Sequence, residues 1–115
     1  MPVDNDLLLV LRSSGLGDGE PDLGEKLMAS FLTVLLESGT APARIVCMNS
    51  GVFLTTEGSP VADTLKKFLD QGTEILSCGT CLDYYGRSDR LIIGEASNMK
   101  AAVAAMLGFK RTLTP

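Results

Sequence analysis

The sequence predicts an α/β fold of three layers, α/β/α, around a mainly parallel five-stranded sheet. Three observations predict it. Short runs of Leu, Ile and Val alternate with longer segments whose apolar residues recur at helical spacing. The first such run, Leu7-Leu8-Leu9-Val10-Leu11, is apolar without a break, the pattern of a strand covered on both faces. The helical segments carry stop and start signals at their ends: Gly39, Ser59-Pro60, Gly72, Gly86 and Gly108.

In order, Met1 to Asp6 is polar, and residues 1–6 are expected to be flexible. Leu7–Leu11 is the first strand. Ser13 to Gly24 is a loop rich in Gly and Asp. Its Gly15-Leu16-Gly17-Asp18-Gly19 is not a phosphate loop. It lacks G-x-x-x-x-G-K-[ST], its third glycine comes one residue early for G-x-G-x-x-G, and Asp18 and Glu20 would repel phosphate. Asp22 to Ser38 is the first long helix, with Leu23, Leu27, Phe31, Val34 and Leu35 in helical register and Met28, Leu32 and Leu36 widening the apolar face. A helix this apolar is expected to cover a sheet and to touch a second subunit.

Arg44 to Met48 is the second strand, in which Cys47 is expected to be a buried, inert thiol. Asn49-Ser50-Gly51 ends it, and Val52-Phe53-Leu54 packs near the strand ends or at an interface. Ser59 as N-cap and Pro60 at the first helical position open the second helix, whose inner stripe is Val61, Leu65, Phe68 and Leu69. Thr73 to Leu76 is the third strand and delivers Cys78. A short helix runs from Thr80 to about Tyr85. Leu91-Ile92-Ile93 is expected as the fourth strand, Gly94 to Ser97 as a loop, and Ser97 or Asn98 as N-cap of a last helix to about Leu107. Its periodic positions are Met99, Val103, Met106 and Leu107, with alanine at many others. Lys110 to Leu113 is an edge strand. A length of 115 residues fits one domain, 1–115.

Right-handed crossovers bring the C-terminal ends of parallel strands to one edge, where such sheets bind ligands. Ser13-Ser14, Asn49-Ser50-Gly51, Cys78 and Gly94-Glu95 are expected there. Composition narrows the chemistry. The net charge is −4 without a basic run, so nucleic acid is not an expected partner. No apolar stretch is long enough for a membrane helix and no signal peptide is recognisable, so the expected location is the cytoplasm. There the three cysteines are expected as thiols. The chain has no histidine, which excludes Ser-His-Asp and Cys-His catalysis and zinc sites built on imidazole.

Chemistry therefore concentrates in Ser77-Cys78-Gly79-Thr80-Cys81-Leu82-Asp83-Tyr84-Tyr85-Gly86. A free thiol ionises near ~8.5, and only the thiolate is reactive. Cys78 stands just before a helix start, where free N–H groups of Gly79, Thr80 and Cys81 can stabilise a thiolate or a persulfide anion. Asn49, Ser50, Gly51 and Asn98 are polar neighbours expected on the same edge. Cys81, three residues on, can form a disulfide or resolve a persulfide. A thioredoxin-like pair, a zinc half-site completed by a symmetric dimer, and two structural thiols in a small-ligand or partner-binding assembly module are the competing readings. No metal and no cofactor are expected.

The blocks Asn49-Ser50-Gly51-Val52, Thr55-Thr56-Glu57-Gly58-Ser59, the cysteine decapeptide and Gly94-Glu95-Ala96-Ser97-Asn98-Met99 resemble the DsrE-like domain of YedF-type selenium metabolism proteins. The resemblance runs from Leu7 through the last helix and is most specific in the decapeptide. It implies the DsrE/DsrF-like fold and a sulfur relay, a possible sulfurtransferase or sulfur-carrier activity, with the persulfide on Cys78. In relay members a glycine lies eight positions after that cysteine, as Gly86 does here. The role of Cys81 is particular to the YedF-like branch. Those proteins usually carry a TusA-like carrier domain ahead of this one. It is not among these 115 residues, so a TusA-like sulfur donor or acceptor is expected as a separate partner, beside a homo-oligomer.

Overall fold

A computed structural model describes residues 3–115. Five strands, β1 (Asp4–Leu11), β2 (Pro42–Cys47), β3 (Glu74–Cys78), β4 (Glu95–Ser97) and β5 (Arg111–Leu113), form one sheet in the order β4-β3-β2-β1-β5. Every pairing is parallel. Helices α1 (Pro21–Glu37), α2 (Ala62–Asp70), α3 (Gly79–Tyr84) and α4 (Met99–Gly108) connect them, with a 3-10 turn over Asn49–Leu54. The three-layer α/β/α class read from the sequence is the observed one.

The strand order explains the layers. From β1 to β4 the chain steps always toward the same edge, so right-handed connections fall on one face. From β4 to β5 it passes back over three strands, so α4 falls on the other. Side chains alternate accordingly. Leu9, Leu11, Ile45, Cys47 and Ile75 pack against Met28 and Leu32 of α1 and Leu65 and Phe68 of α2. Leu8, Val10 and Val46 pack against Ala102 and Ala105 of α4. Each of the five residues Leu7–Leu11 is buried, as a strand covered on both faces requires.

Three boundaries correct the sequence reading. Asp4–Asp6 is not frayed: it belongs to β1, where the Asp4 N–H donates to Ala41 O at 2.8 Å and the Asp4 carboxylate pairs with Arg111. Met1 and Pro2 lie outside the described residues. The N-cap of α2 is Val61, not Ser59. The Ser59 hydroxyl accepts the Val61 N–H at 3.2 Å, so Ser59-Pro60 makes the turn that precedes the helix. The fourth strand is Glu95–Ser97 rather than Leu91–Ile93. Leu91 makes only a bridge to Thr56, and Ile93 is buried from a loop whose N–H groups reach Thr55 O. Apolar character there marked burial, not a sheet ladder.

The helices also turn unexpected faces inward. In α1 the buried residues are Gly24, Met28 and Leu32, while Leu23, Leu27 and Val34 are exposed. In α4 the alanines Ala102 and Ala105 meet the sheet, and Met99, Val103, Met106 and Leu107 face outward. Small inward residues let the helix axis approach the strands closely.

Candidate functional site at the end of the third strand

β3 ends on Cys78, which is also the N-cap of α3 with φ −62° and ψ 120°. Strand alternation points Ser77 toward the α1/α2 face, where its hydroxyl meets Thr55 Oγ1 at 2.6 Å. Cys78 therefore points toward α4. It is 7% exposed and lines a narrow cavity with Val46, Met48, Leu76, Ala102, Ser97 and Asn98. β4 runs alongside, with Cys78 opposite Ser97. Gly79 keeps this junction tight: a Cβ there would stand 3.0 Å from Ser97 O.

Cys81, within α3, is half-buried and opens onto a different space, walled by Asn49, Thr80, Tyr84 and Tyr85. Asn49 is the residue that ties the strand ends together. It adopts φ 52°, the left-handed region that asparagine tolerates better than most residues. In that conformation its N–H donates to Cys81 Sγ at 3.1 Å. Its side-chain Oδ1 accepts the Ser50 N–H at 2.8 Å and the Tyr85 hydroxyl at 3.3 Å. Backbone outliers of this kind gather at functional sites.

The three thiols are chemically unequal. Burial pushes Cys47 up to about 12. Burial also raises Cys81, and a hydrogen bond with the Cys78 thiol adds to the rise; the Asn49 N–H pulls the other way without cancelling it. Cys78, at the end of β3, and Cys81, three residues on in α3, are both free thiols. The Cys47 shift has a stability consequence. Its folded pKa lies above the unfolded value, so its contribution is complete below about 8.5 and is lost as pH rises toward 12. Between those limits the wild type is expected to lose stability by about 1.4 kcal/mol per pH unit more steeply than Cys47→Ala. Urea unfolding of the two proteins from pH 8 to 11 checks this, and parallel slopes would refute it.

Of the sequence-predicted residues, the structure brings Cys78, Cys81, Asn49, Gly79, Thr80 and Asn98 around one strand end. Asn98 caps α4, its Oδ1 accepting the Ala101 N–H at 2.9 Å, and its flank lines the Cys78 cavity. Ser50 and Gly51 serve the neighbouring loop instead. The Ser50 hydroxyl accepts the Ser14 N–H at 3.2 Å. Gly51 lies so close to β1 that a Cβ would stand 2.3 Å from Leu11 O. The sequence reading assigned no role to Tyr84, Tyr85, Met48 or Arg87, and expected Phe53 only to pack near the strand ends or at an interface. Phe53 and Tyr85 rings are 4.6 Å apart, Tyr84 meets Tyr85 edge-on at 5.2 Å, and the Arg87 guanidinium sits 4.6 Å over Phe53. The one available signal was that both of the chain's tyrosines fall in the cysteine decapeptide.

At the sequence level no family model and no curated protein matches the chain. Solved structures share its fold. The YchN protein from E. coli is 19% identical, covering 97% of this chain and 100% of its own, with a TM-score of 0.67. MTH1491 from Methanobacterium thermoautotrophicum, a protein of unknown function, is 15% identical over 97% and 100% of the two chains, with a TM-score of 0.71. BT1422 from Bacteroides thetaiotaomicron, a conserved protein of unknown function, is 17% identical over 96% and 95%, with a TM-score of 0.64. At these identities the likeness defines the class of fold: small α/β proteins matched end to end.

Proposed function

We propose that the chain is a DsrE-like carrier of sulfane sulfur, or of selenium, that holds the transferred atom as a persulfide on Cys78. The observation that carries this reading is the pair of free cysteines at the junction of β3 and α3, one of them held by a backbone N–H. The Gly79, Thr80 and Cys81 N–H groups, at the start of α3, have no helical carbonyl before them and can hold an anionic outer sulfur. The shared fold and the YedF-like decapeptide support the same assignment. A TusA-like carrier in the cytoplasm is the proposed partner; no helix among the described residues is long and apolar enough to cross a membrane. Incubation with a sulfane donor is expected to add the mass of one sulfur at Cys78, and the gain there is lost in Cys78→Ser. A wild-type protein left unmodified by excess donor would overturn the reading.

The three-residue spacing of these two free thiols at the start of α3 also favours a second reading, a reversible Cys78–Cys81 disulfide switch. Failure of a mild disulfide oxidant to close that bond removes it. Assembly belongs to the first reading. α4 packs on its sheet face through alanines and leaves Leu107 83% and Met99 56% exposed beside Val103 and Met106. Covering such a face with a second copy is the expected outcome, seen as a multiple of the chain mass in sedimentation. A monomer at high concentration would contradict it.

A further inference from the structure

Cys78 and Cys81 stand three residues apart at the junction of β3 and α3, but they open onto spaces of very different size. The cavity beside Cys78 measures about 10 Å³ and is walled mainly by Val46, Met48, Leu76 and Ala102. That is about the volume of one water-sized sphere. The space beside Cys81 measures about 390 Å³ and opens to solvent between Asn49, Thr80, Tyr84 and Tyr85. A persulfide donor with any substantial body can bring its outer sulfur to Cys81. It cannot follow that sulfur to Cys78, where there is room for one more atom and not for the group that delivers it.

We infer that the two thiols act in series with cavity size as the filter: Cys81 loads a sulfane sulfur from an alkyl persulfide of tripeptide size or larger, and Cys78 takes that single atom from Cys81 and stores it. This rests on the persulfide reading above and adds the order of transfer and the class of donor. In the first step the Cys81 thiolate attacks the outer sulfur of R–S–SH. A new S–S bond forms on Cys81, the S–S bond of the donor breaks, and R–S⁻ leaves and takes up the proton that Cys81 released. In the second, the Cys78 thiolate attacks the outer sulfur of Cys81–S–SH. The S–S bond on Cys78 forms as that on Cys81 breaks, and Cys81 regains as a thiol the proton given up by Cys78. The moving atom stays at the sulfane level throughout, so neither step needs an oxidant or a reductant.

The stored atom is shielded by the apolar wall of Val46, Met48, Leu76 and Ala102. Asn49 acts as a positioning residue in this scheme, because its N–H meets the sulfur that makes the first attack. Tyr85 in turn holds the Asn49 side chain.

The test loads wild type, Cys81→Ser and Ala102→Val with two donors, inorganic hydrodisulfide and glutathione persulfide, and reads sulfur at each cysteine by fragment mass spectrometry. Cys81→Ser is expected to load Cys78 from hydrodisulfide, and from glutathione persulfide about tenfold more slowly than wild type or worse. Ala102→Val narrows the cavity and keeps both thiols, so the sulfur is expected to remain on Cys81. Cys81→Ala, with far-ultraviolet circular dichroism, separates loss of the thiol from loss of fold. Loading of Cys78 in Cys81→Ser at the wild-type rate from glutathione persulfide would overturn the order of transfer. Release of sulfide with a Cys78–Cys81 disulfide in wild type would do the same. If neither thiol takes sulfur even from hydrodisulfide, the persulfide reading itself falls. If both donors load Cys78 directly, the order of transfer and its filter fall while the persulfide reading stands.

Discussion

Cys78→Ser is expected to abolish retention of the added sulfur while leaving the fold at least as stable as wild type. The two halves of that result have separate causes. Serine keeps the shape of the side chain but removes the only atom at this position that can form an S–S bond. Cys78 is the N-cap of α3 and makes no side-chain capping hydrogen bond. Serine is a preferred N-cap, worth about 0.5–2 kcal/mol over residues that cannot cap. The substitution is therefore expected to hold or raise the melting temperature. After loading and a chase with excess thiol, cyanide-labile sulfur is expected to stay with the wild type and to vanish from the variant. A variant that melts early would show that Cys78 is chiefly a packing residue. One that retains chase-resistant sulfur would show that the carrier lies elsewhere.

Gly94→Ala is expected to be the most damaging single-methyl change at this edge of the sheet. Gly94 has φ 72°, and a Cβ there would lie 2.1 Å from Ile75 O, a backbone atom that cannot swing away. Left-handed strain and overpacking together are expected to cost roughly 3 kcal/mol or more. Gly86 supplies the control. It has φ 66°, but nothing lies within 4 Å of its added Cβ, so Gly86→Ala is expected to cost only about 1–2 kcal/mol. Denaturant midpoints compare the two directly, and equal losses would mean that the Gly94–Ile75 approach is not what seats β4. The consequence reaches the site. Gly94 delivers Glu95–Ser97 against Leu76–Cys78, so displacing it shifts the strand that lies opposite Cys78.

The fold class was legible because the Leu7–Leu11 run and the helical periodicities are strong and local. β4 was not, because Glu95-Ala96-Ser97 is a short, largely exposed edge strand with no apolar signal, while Leu91-Ile92-Ile93 carries the signal of burial without the ladder. The facing of α1 and α4 was missed for a related reason. Both helices are apolar around most of their circumference, so periodicity could not say which stripe meets the sheet. The strand-end cysteine was legible from topology and from the absence of histidine. The inequality of the two thiols was only half legible. The sequence made Cys78 the candidate carrier and Cys81 its possible resolving partner, but not which of them is buried: Cys78 is buried and Cys81 faces the open space. That arrangement depends on strand alternation and on where α4 crosses the sheet, which no spacing within the decapeptide encodes. The Asn49 N–H on Cys81 was equally hidden, since it requires a left-handed residue at the end of a different strand.

The central claim is that a transferred sulfur comes to rest on Cys78, the buried thiol of the Cys78–Cys81 pair. Fragment mass spectrometry of the loaded wild type, with ions that separate Cys78 from Cys81, tests it most directly. One added sulfur on Cys78, with Cys81 and Cys47 returned as free thiols, is the expected result. An unmodified Cys78, or sulfur spread evenly over all three cysteines, would contradict it.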